Sequence, residues 1–258
     1  LIAIEHSQSD IRNISNAPRM GKCYAMHAAQ CERVFAVNHA MVDAIKSLAV
    51  TNVAPIFNGI NRACVSQPCH ESHPRDPRKP FTVLCAGQYI ERKGHAYLLE
   101  AFADPRLRHV QLELVGHPPT HLQRQIDELG IQSQISILEE MDQSALLDRM
   151  AQSDLFALPS WDEAFGLVYA EALSVGTPVL LTNDAGIHAL PHIDESSWVV
   201  PPRDSGAVAN AILAATKLDS ASRADMTMRS KAWINTRLTW ESNAQTLLQP
   251  VFQGAHSF

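Results

Sequence analysis

Short apolar runs of strand length alternate with helix-length segments along almost the whole chain, and this limits the fold more than any other feature. Runs at 1–5, 33–37, 52–56, 81–86, 110–115, 134–138, 154–158, 178–182 and 198–200 read as strands. Helical spacing fills 41–48, 96–102, 121–129, 144–151, 167–175, 207–217, 223–237 and 240–252. Strand–helix alternation of this kind implies parallel sheets covered on both faces. The expected fold class is therefore α/β, with doubly wound parallel sheet.

The alternation lapses once. Residues 58–80 hold six charged side chains and four prolines with no helical period, the composition of a linker and exposed loop. Before it lies a short α/β piece, residues 1–60, too small to close its own core comfortably. After it, from residue 81, lies a nearly complete doubly wound domain. The chain opens without Met, inside what reads as a strand. The expectation is a fragment whose N-terminus lies upstream.

Composition removes several function classes. The formal net charge of −6 argues against a general nucleic-acid binder. No charge-free apolar stretch approaches the roughly 18 residues of a membrane span; the richest run, 164–181, contains Glu171, Gly176 and Pro178. The opening LIAIEHSQSD lacks the basic flank of a signal peptide. The five cysteines form no disulfide framework, and a reducing cytosol is the simpler reading. Cys64, Cys69, His70 and His73 lie close together, but C-x4-C-H-x2-H fits no common zinc pattern, so no metal site is expected.

In open parallel sheets, ligands bind beyond the carboxyl ends of the strands. That rule selects the segments after each run, and residues 158–178, LPSWDEAFGLVYAEALSVGTP, carry the most chemistry. A buried strand ends at Leu158, a tight polar loop follows, and a helix begins near Gly166. The first amides of that helix have no internal acceptor and sit at the positive end of the macrodipole. Gly166 would let a phosphate approach the backbone closely. Glu163 precedes the helix, and Glu171 lies about one and a half turns inside it. On the residues alone, Glu171 either accepts paired hydroxyls, such as those of a ribose, or is a solvated charge.

The stretch resembles the E-x7-E signature of the family 4 glycosyltransferases, retaining enzymes of the GT-B fold. Glu163 and Glu171 fall in the glutamate places, Phe165-Gly166-Leu167 match the FGL, and Gly176-Thr177-Pro178-Val179 match the GTPV. Ala164 stands where the family usually has Gly. Phe57-Asn58-Gly59-Ile60-Asn61 resembles the NGID that ends the N-terminal domain, residues 87–94 resemble GR-x4-KG, and Val200-Pro201-Pro202-Arg203-Asp204 resembles VPP-x-D. Motifs in this order and spacing are more specific than any one alone.

The resemblance implies a GT-B architecture. Residues 1–60 would be a remnant of the acceptor-side domain, 61–80 a linker and loop, 81–238 the nucleotide-sugar donor domain, and 239–258 a helix crossing back. Glu171 would bond the ribose, and Glu163 would face the donor sugar. Phe165 and the amides of Gly166, Leu167 and Val168 would line the donor site and hold the distal phosphate, with Met141 near the base. His6, after the first strand, resembles the histidine that faces the sugar across the cleft. Gln88 and Lys93 occupy the places of an Arg and a Lys that neutralise the departing diphosphate. Gln88 is neutral and cannot clamp phosphate, which leaves adjacent Arg92 as a substitute.

The implied activity is hexosyl transfer with retention from a UDP- or GDP-sugar to a glycan or lipid-linked acceptor, as in polysaccharide biosynthesis. No metal or other cofactor is expected. The implied setting is cytoplasmic, with peripheral contact at the inner membrane face through the missing N-terminal region. Two alternatives stand beside it: a nucleotide-binding module without transfer, and another GT-B enzyme such as an epimerase.

Overall fold

The computed structural model describes residues 2–5, 14, 16–61 and 79–254. His6 and the Cys64, Cys69, His70, His73 group lie outside the described residues. The described strands form a three-stranded and a six-stranded sheet, and every pairing is parallel.

The smaller lobe runs β1 (Ile2–Glu5), α1 (Pro18–Ala28), β2 (Arg33–Ala36), α2 (His39–Ser47) and β3 (Val53–Pro55), with sheet order β1-β2-β3. The larger lobe continues with β4 (Phe81–Cys85), α3 (His95–Phe102), β5 (Val110–Val115), α4 (Thr120–Leu129), β6 (Ile135–Leu138) and α5 (Gln143–Gln152). It then runs through β7 (Leu155–Ala157), α6 (Leu167–Ser174), β8 (Val179–Thr182), β9 (Ser197–Val200), α7 (Ser205–Thr216) and α8 (Ser220–Arg237), and α9 (Trp240–Gly254) follows. Each strand expected from sequence is present, at slightly shorter bounds for most.

Helix starts follow capping chemistry. Asn38, Asp142, Asp204 and Asp219 each accept a hydrogen bond from an amide of the first turn, opening α2, α5, α7 and α8 slightly before the apolar spacing begins. The Asp of the VPP-x-D segment is thus a helix cap. Sequence periodicity missed α1. It opens with Pro18, has no side-chain cap, and buries only Gly21 and Ala28, so it carries little apolar stripe. Gly21 permits its close packing: a Cβ there would sit 2.9 Å from Leu48 Cδ2.

The six-stranded sheet has the order β6-β5-β4-β7-β8-β9. The chain winds outward from β4 through β5 to β6, then returns to pair β7 beside β4 and winds the other way. The connections after the adjacent strands β4 and β7 therefore lead to opposite halves of the sheet, and this reversal point is where doubly wound sheets bind ligands.

Each lobe has its own apolar core. The larger is built on Val83, Leu84, Phe156, Leu158 and Leu180, the smaller on Val34, Ala36, Met41 and Ile45. Phe57, which packs against the larger core, Ile60 and Ala164 cross that division. Ile60 belongs to the larger core, and Ala164 packs against the smaller one. Ile60 N donates to Leu238 O at 2.7 Å, and Asn243 Nδ2 donates to Phe57 O at 2.5 Å, so α9 starts against the segment that leaves the smaller lobe. Gly59 is required there, since a Cβ would lie 2.6 Å from Trp240 N. Among the described residues, no helix is long and apolar enough to cross a membrane.

Candidate active site

The two loops of the reversal point close directly on one another. After β4 the chain makes a short 3-10 turn, Glu91–Lys93, and enters α3 through Gly94 at φ 74°. That left-handed conformation costs an L side chain roughly 1–2 kcal/mol. Glycine is also demanded sterically, because a Cβ would press into the carbonyl of Pro159 in the loop after β7. Trp161 N donates to Arg92 O at 2.9 Å, which seals the contact.

This closure brings the two basic side chains to Glu163. Lys93 Nζ lies 2.5 Å from Glu163 Oε2, and Arg92 Nη1 lies 3.5 Å from the same oxygen. Ser160 Oγ donates to it at 3.3 Å. Glu163 and Lys93 are largely buried, with 13% and 15% of their side chains exposed, whereas Arg92 is at 43%. Arg92 and Lys93 are chain neighbours yet converge on one carboxylate. Gln88 sits exposed in the same loop.

The backbone carrying Glu163 is held from several directions. Thr182 Oγ1 donates to Ser160 O at 2.5 Å, and Tyr169 Oη donates to Leu158 O at 2.5 Å. Gly186 N and Ile187 N, after β8, donate to Glu163 O at 3.0 Å and Phe165 O at 2.9 Å. The Phe165 ring is buried and stacks on Phe57 with centroids 6.2 Å apart, so its side chain serves packing. Trp161 meets Tyr97 edge-on at 5.7 Å, and the Arg203 guanidinium lies 4.6 Å over the Trp161 ring.

Gly166 opens α6 at φ 91°, and a Cβ there would meet Tyr169 Cδ2 at 2.5 Å, in a ring that is fully buried. No side chain caps α6, and the same holds for α3 and α4. These helices follow β7, β4 and β5, around the reversal point. The helices after the outer strands β6 and β9, α5 and α7, are capped by Asp. The uncapped starts leave amide donors for an external anion, where an Asp cap would repel it. Leu167 and Val168, whose amides begin α6, are partly buried against the core.

Glu171 is half-buried on α6 and accepts a hydrogen bond from Gln143 Nε2 at 2.8 Å. Burial pushes its carboxyl above the ordinary 4.5, and the Gln143 bond opposes this. Met141, partly buried, lies two residues before Gln143, just ahead of the Asp142 cap that opens α5. Beneath the loops, His95 is buried with its ring 4.6 Å from that of Tyr89. Burial, then the Lys93 charge, lowers its pKa to about 4, so it is neutral near pH 7. Tyr89 Oη donates to Val115 O and Gly116 O at 3.0 and 2.9 Å, joining the loops after β4 and β5.

Ser160, Tyr169, Gly186 and Asn38 were not singled out from sequence. Tyr169, Gly186 and Asn38 act through backbone contacts with residues distant in the chain, which leave no local pattern, and Ser160 acts through its hydroxyl on Glu163. Among the described residues, no group of three or more His, Cys, Asp or Glu side chains is placed to hold a metal ion.

The family model of glycosyl transferases group 1 matches residues 70–233. The D-inositol 3-phosphate glycosyltransferase of Mycobacterium tuberculosis is 29% identical over 173 residues, a match covering 64% of this chain and 36% of that relative. The chain thus spans about a third of the length of the curated relatives it matches. The Anabaena protein HepE, solved with UDP, superposes with a TM-score of 0.80 at 22% identity, over 98% of this chain and 72% of that one. Sucrose-phosphate synthase of Thermosynechococcus elongatus gives 0.74 at 22% identity, over 100% and 68%. At such identities these likenesses show the fold, which is the expected GT-B type. The family model runs through both loops of the reversal point and through α6, and on that match the chain belongs to the glycosyl transferases group 1.

Proposed function

We propose that this chain supplies the donor side of a retaining glycosyltransferase that moves a hexosyl group from a nucleoside-diphosphate sugar to a glycan or lipid-linked acceptor. The observation that carries this reading is the convergence of Lys93 and Arg92 on Glu163, in the loop that leads into the uncapped start of α6. Cations and free amides suit a diphosphate, and carboxylates suit sugar hydroxyls. As the bond from the anomeric carbon to the diphosphate breaks, negative charge grows on the leaving group. Fixed donors at that place stabilise the transition state more than the ground state. Lys93, Arg92 and the amides of Gly166, Leu167 and Val168 supply that charge in this reading, so transfer needs no metal ion. HepE was solved with UDP and with UDP-glucose, which makes a UDP-sugar the first donor to test and a GDP-sugar the second. Phe165 shapes the loop in this reading, and Met141 lies on the base side.

Glu171 tests the ribose assignment. Replacing it by Gln should weaken UDP or GDP binding by about 1–3 kcal/mol, the scale for losing a charged hydrogen-bond partner. Unchanged affinity in titration calorimetry would sink the assignment. The same change should stabilise the free protein. A carboxyl whose pKa rises on folding is destabilising once ionised: the penalty is absent below the ordinary glutamate pKa, grows as pH rises, and is complete above the raised value. Glu171→Gln should therefore raise the Tm at pH 7, and the difference should vanish near pH 4 or below, at or under the ordinary 4.5.

The clamp has its own test. Lys93→Ala should weaken diphosphate binding and flatten its salt dependence. Arg92 shares the carboxylate with Lys93, and we expect it to take the place that Gln88 leaves empty of charge. Arg92→Ala should then cost about as much as Lys93→Ala, and Gln88→Arg should add little. A loss at Arg92 of only roughly 0–1 kcal/mol, the range of exposed pairs, would return it to the solvent.

A further inference from the structure

Three consecutive carbonyls of the Glu163 loop are held by donors from two different lobes. The outer two, of Glu163 and Phe165, accept from Gly186 N and Ile187 N within the larger lobe. The middle one, of Ala164, accepts from Asn38 Nδ2 at 2.5 Å, and Asn38 belongs to the smaller lobe. Asn38 is 2% exposed, and its Oδ1 accepts from Met41 N at 2.7 Å to cap α2. A backbone amide on one side and a carbonyl on the other settle which way the carboxamide points. The fit around it is close. A Cβ on Gly186 would press into Ala164 O and lie 3.2 Å from Asn38 Cβ, and Ala164 itself packs on the smaller core.

We propose that Asn38 is a positioning residue for Glu163. One carboxamide is both the cap of α2 and the tether of the loop, so the seating of the lobes on each other is transmitted to the carboxylate facing the donor sugar. The inference rests on that role of Glu163. It assigns the smaller lobe a part in donor chemistry that does not depend on touching the donor. A sugar would be aligned for transfer only while the acceptor-side lobe is seated.

Two variants separate the tether from the cap. Asn38→Ser keeps a capping oxygen but is too short to reach Ala164 O. Asn38→Asp keeps both shape and cap and turns the donor into an acceptor facing a carbonyl. Amide hydrogen exchange in the full-length protein should rise about tenfold or more across residues 161–167 in both variants, and stay unchanged in β4 and β5. Sugar release from a UDP-sugar should show kcat lower by about tenfold with the UDP Kd within about twofold, the Asp variant at least as impaired as the Ser one. Unchanged exchange in the loop overturns the tether, whether or not the protein turns over. A loosened loop with unaltered kcat overturns the positioning role. A wild-type protein that binds no nucleoside diphosphate defeats the transferase reading instead, and the exchange measurement still judges the tether.

Discussion

Glu163→Gln is expected to lower sugar transfer by about a hundredfold or more, the scale for removing one preorganised charged or polar group from a reacting centre. Nucleoside-diphosphate affinity should stay the same or increase. The opposite signs follow from the geometry. In the free protein Lys93 and Arg92 are paired with Glu163 at 2.5 and 3.5 Å, so a bound diphosphate has to share them. Removing the carboxylate leaves Lys93, with 15% of its side chain exposed, without its partner at that oxygen and readier for phosphate. The Tm without ligand should fall and be recovered by UDP. Steady-state transfer and titration calorimetry give the two halves of the result. A parallel fall in rate and affinity would move Glu163 to a folding role.

Gly94→Ala should destabilise the protein by about 1–5 kcal/mol in urea unfolding. Placing an L residue at φ 74° costs roughly 1–2 kcal/mol. Forcing a methyl into a packed contact adds typically 1–3 kcal/mol, and here the obstacle is the backbone carbonyl of Pro159, which cannot rotate away as a side-chain tip would. Reduced freedom of the unfolded chain returns only about 0.4–1 kcal/mol. Because Lys93 is the preceding residue and Pro159 leads into the Glu163 loop, UDP affinity should fall as well. Wild-type stability together with wild-type UDP affinity would show that the loops after β4 and β7 are not locked at this point.

Much of the architecture was legible because its signals are local. Strand runs are short and apolar, parallel strands buried on both faces need no alternation, and the intervening helices repeat near 3.6 residues. Helix α1 escaped for the converse reason: two small buried residues make no stripe, and its place depends on Gly21 fitting against Leu48. The motifs divide in the same way. Asp204 reads in sequence as part of a conspicuous segment, yet its structural task is to cap α7. In the GTPV segment, Gly176 ends α6 at φ 89° and Thr177 Oγ1 donates to Met150 O at 2.6 Å, so both are structural.

The sequence alone determined the α/β class, the parallel sheets, the order of strands and helices, and the helix that opens at Gly166. All of these follow from periodicity, turn residues and helix polarity, which act over a few residues. Only the tertiary structure decided which groups meet. Residues 93 and 163 are far apart along the chain, and the reversal of strand order between β4 and β7 is what brings their side chains together. Asn38 makes one local bond, from Met41 N, that caps α2, but its second bond, to Ala164 across 126 positions, depends on how the two lobes pack. Local chemistry specifies elements and loops. Contacts between distant loops are set by strand order and by the close packing of cores, and no short stretch of sequence encodes those.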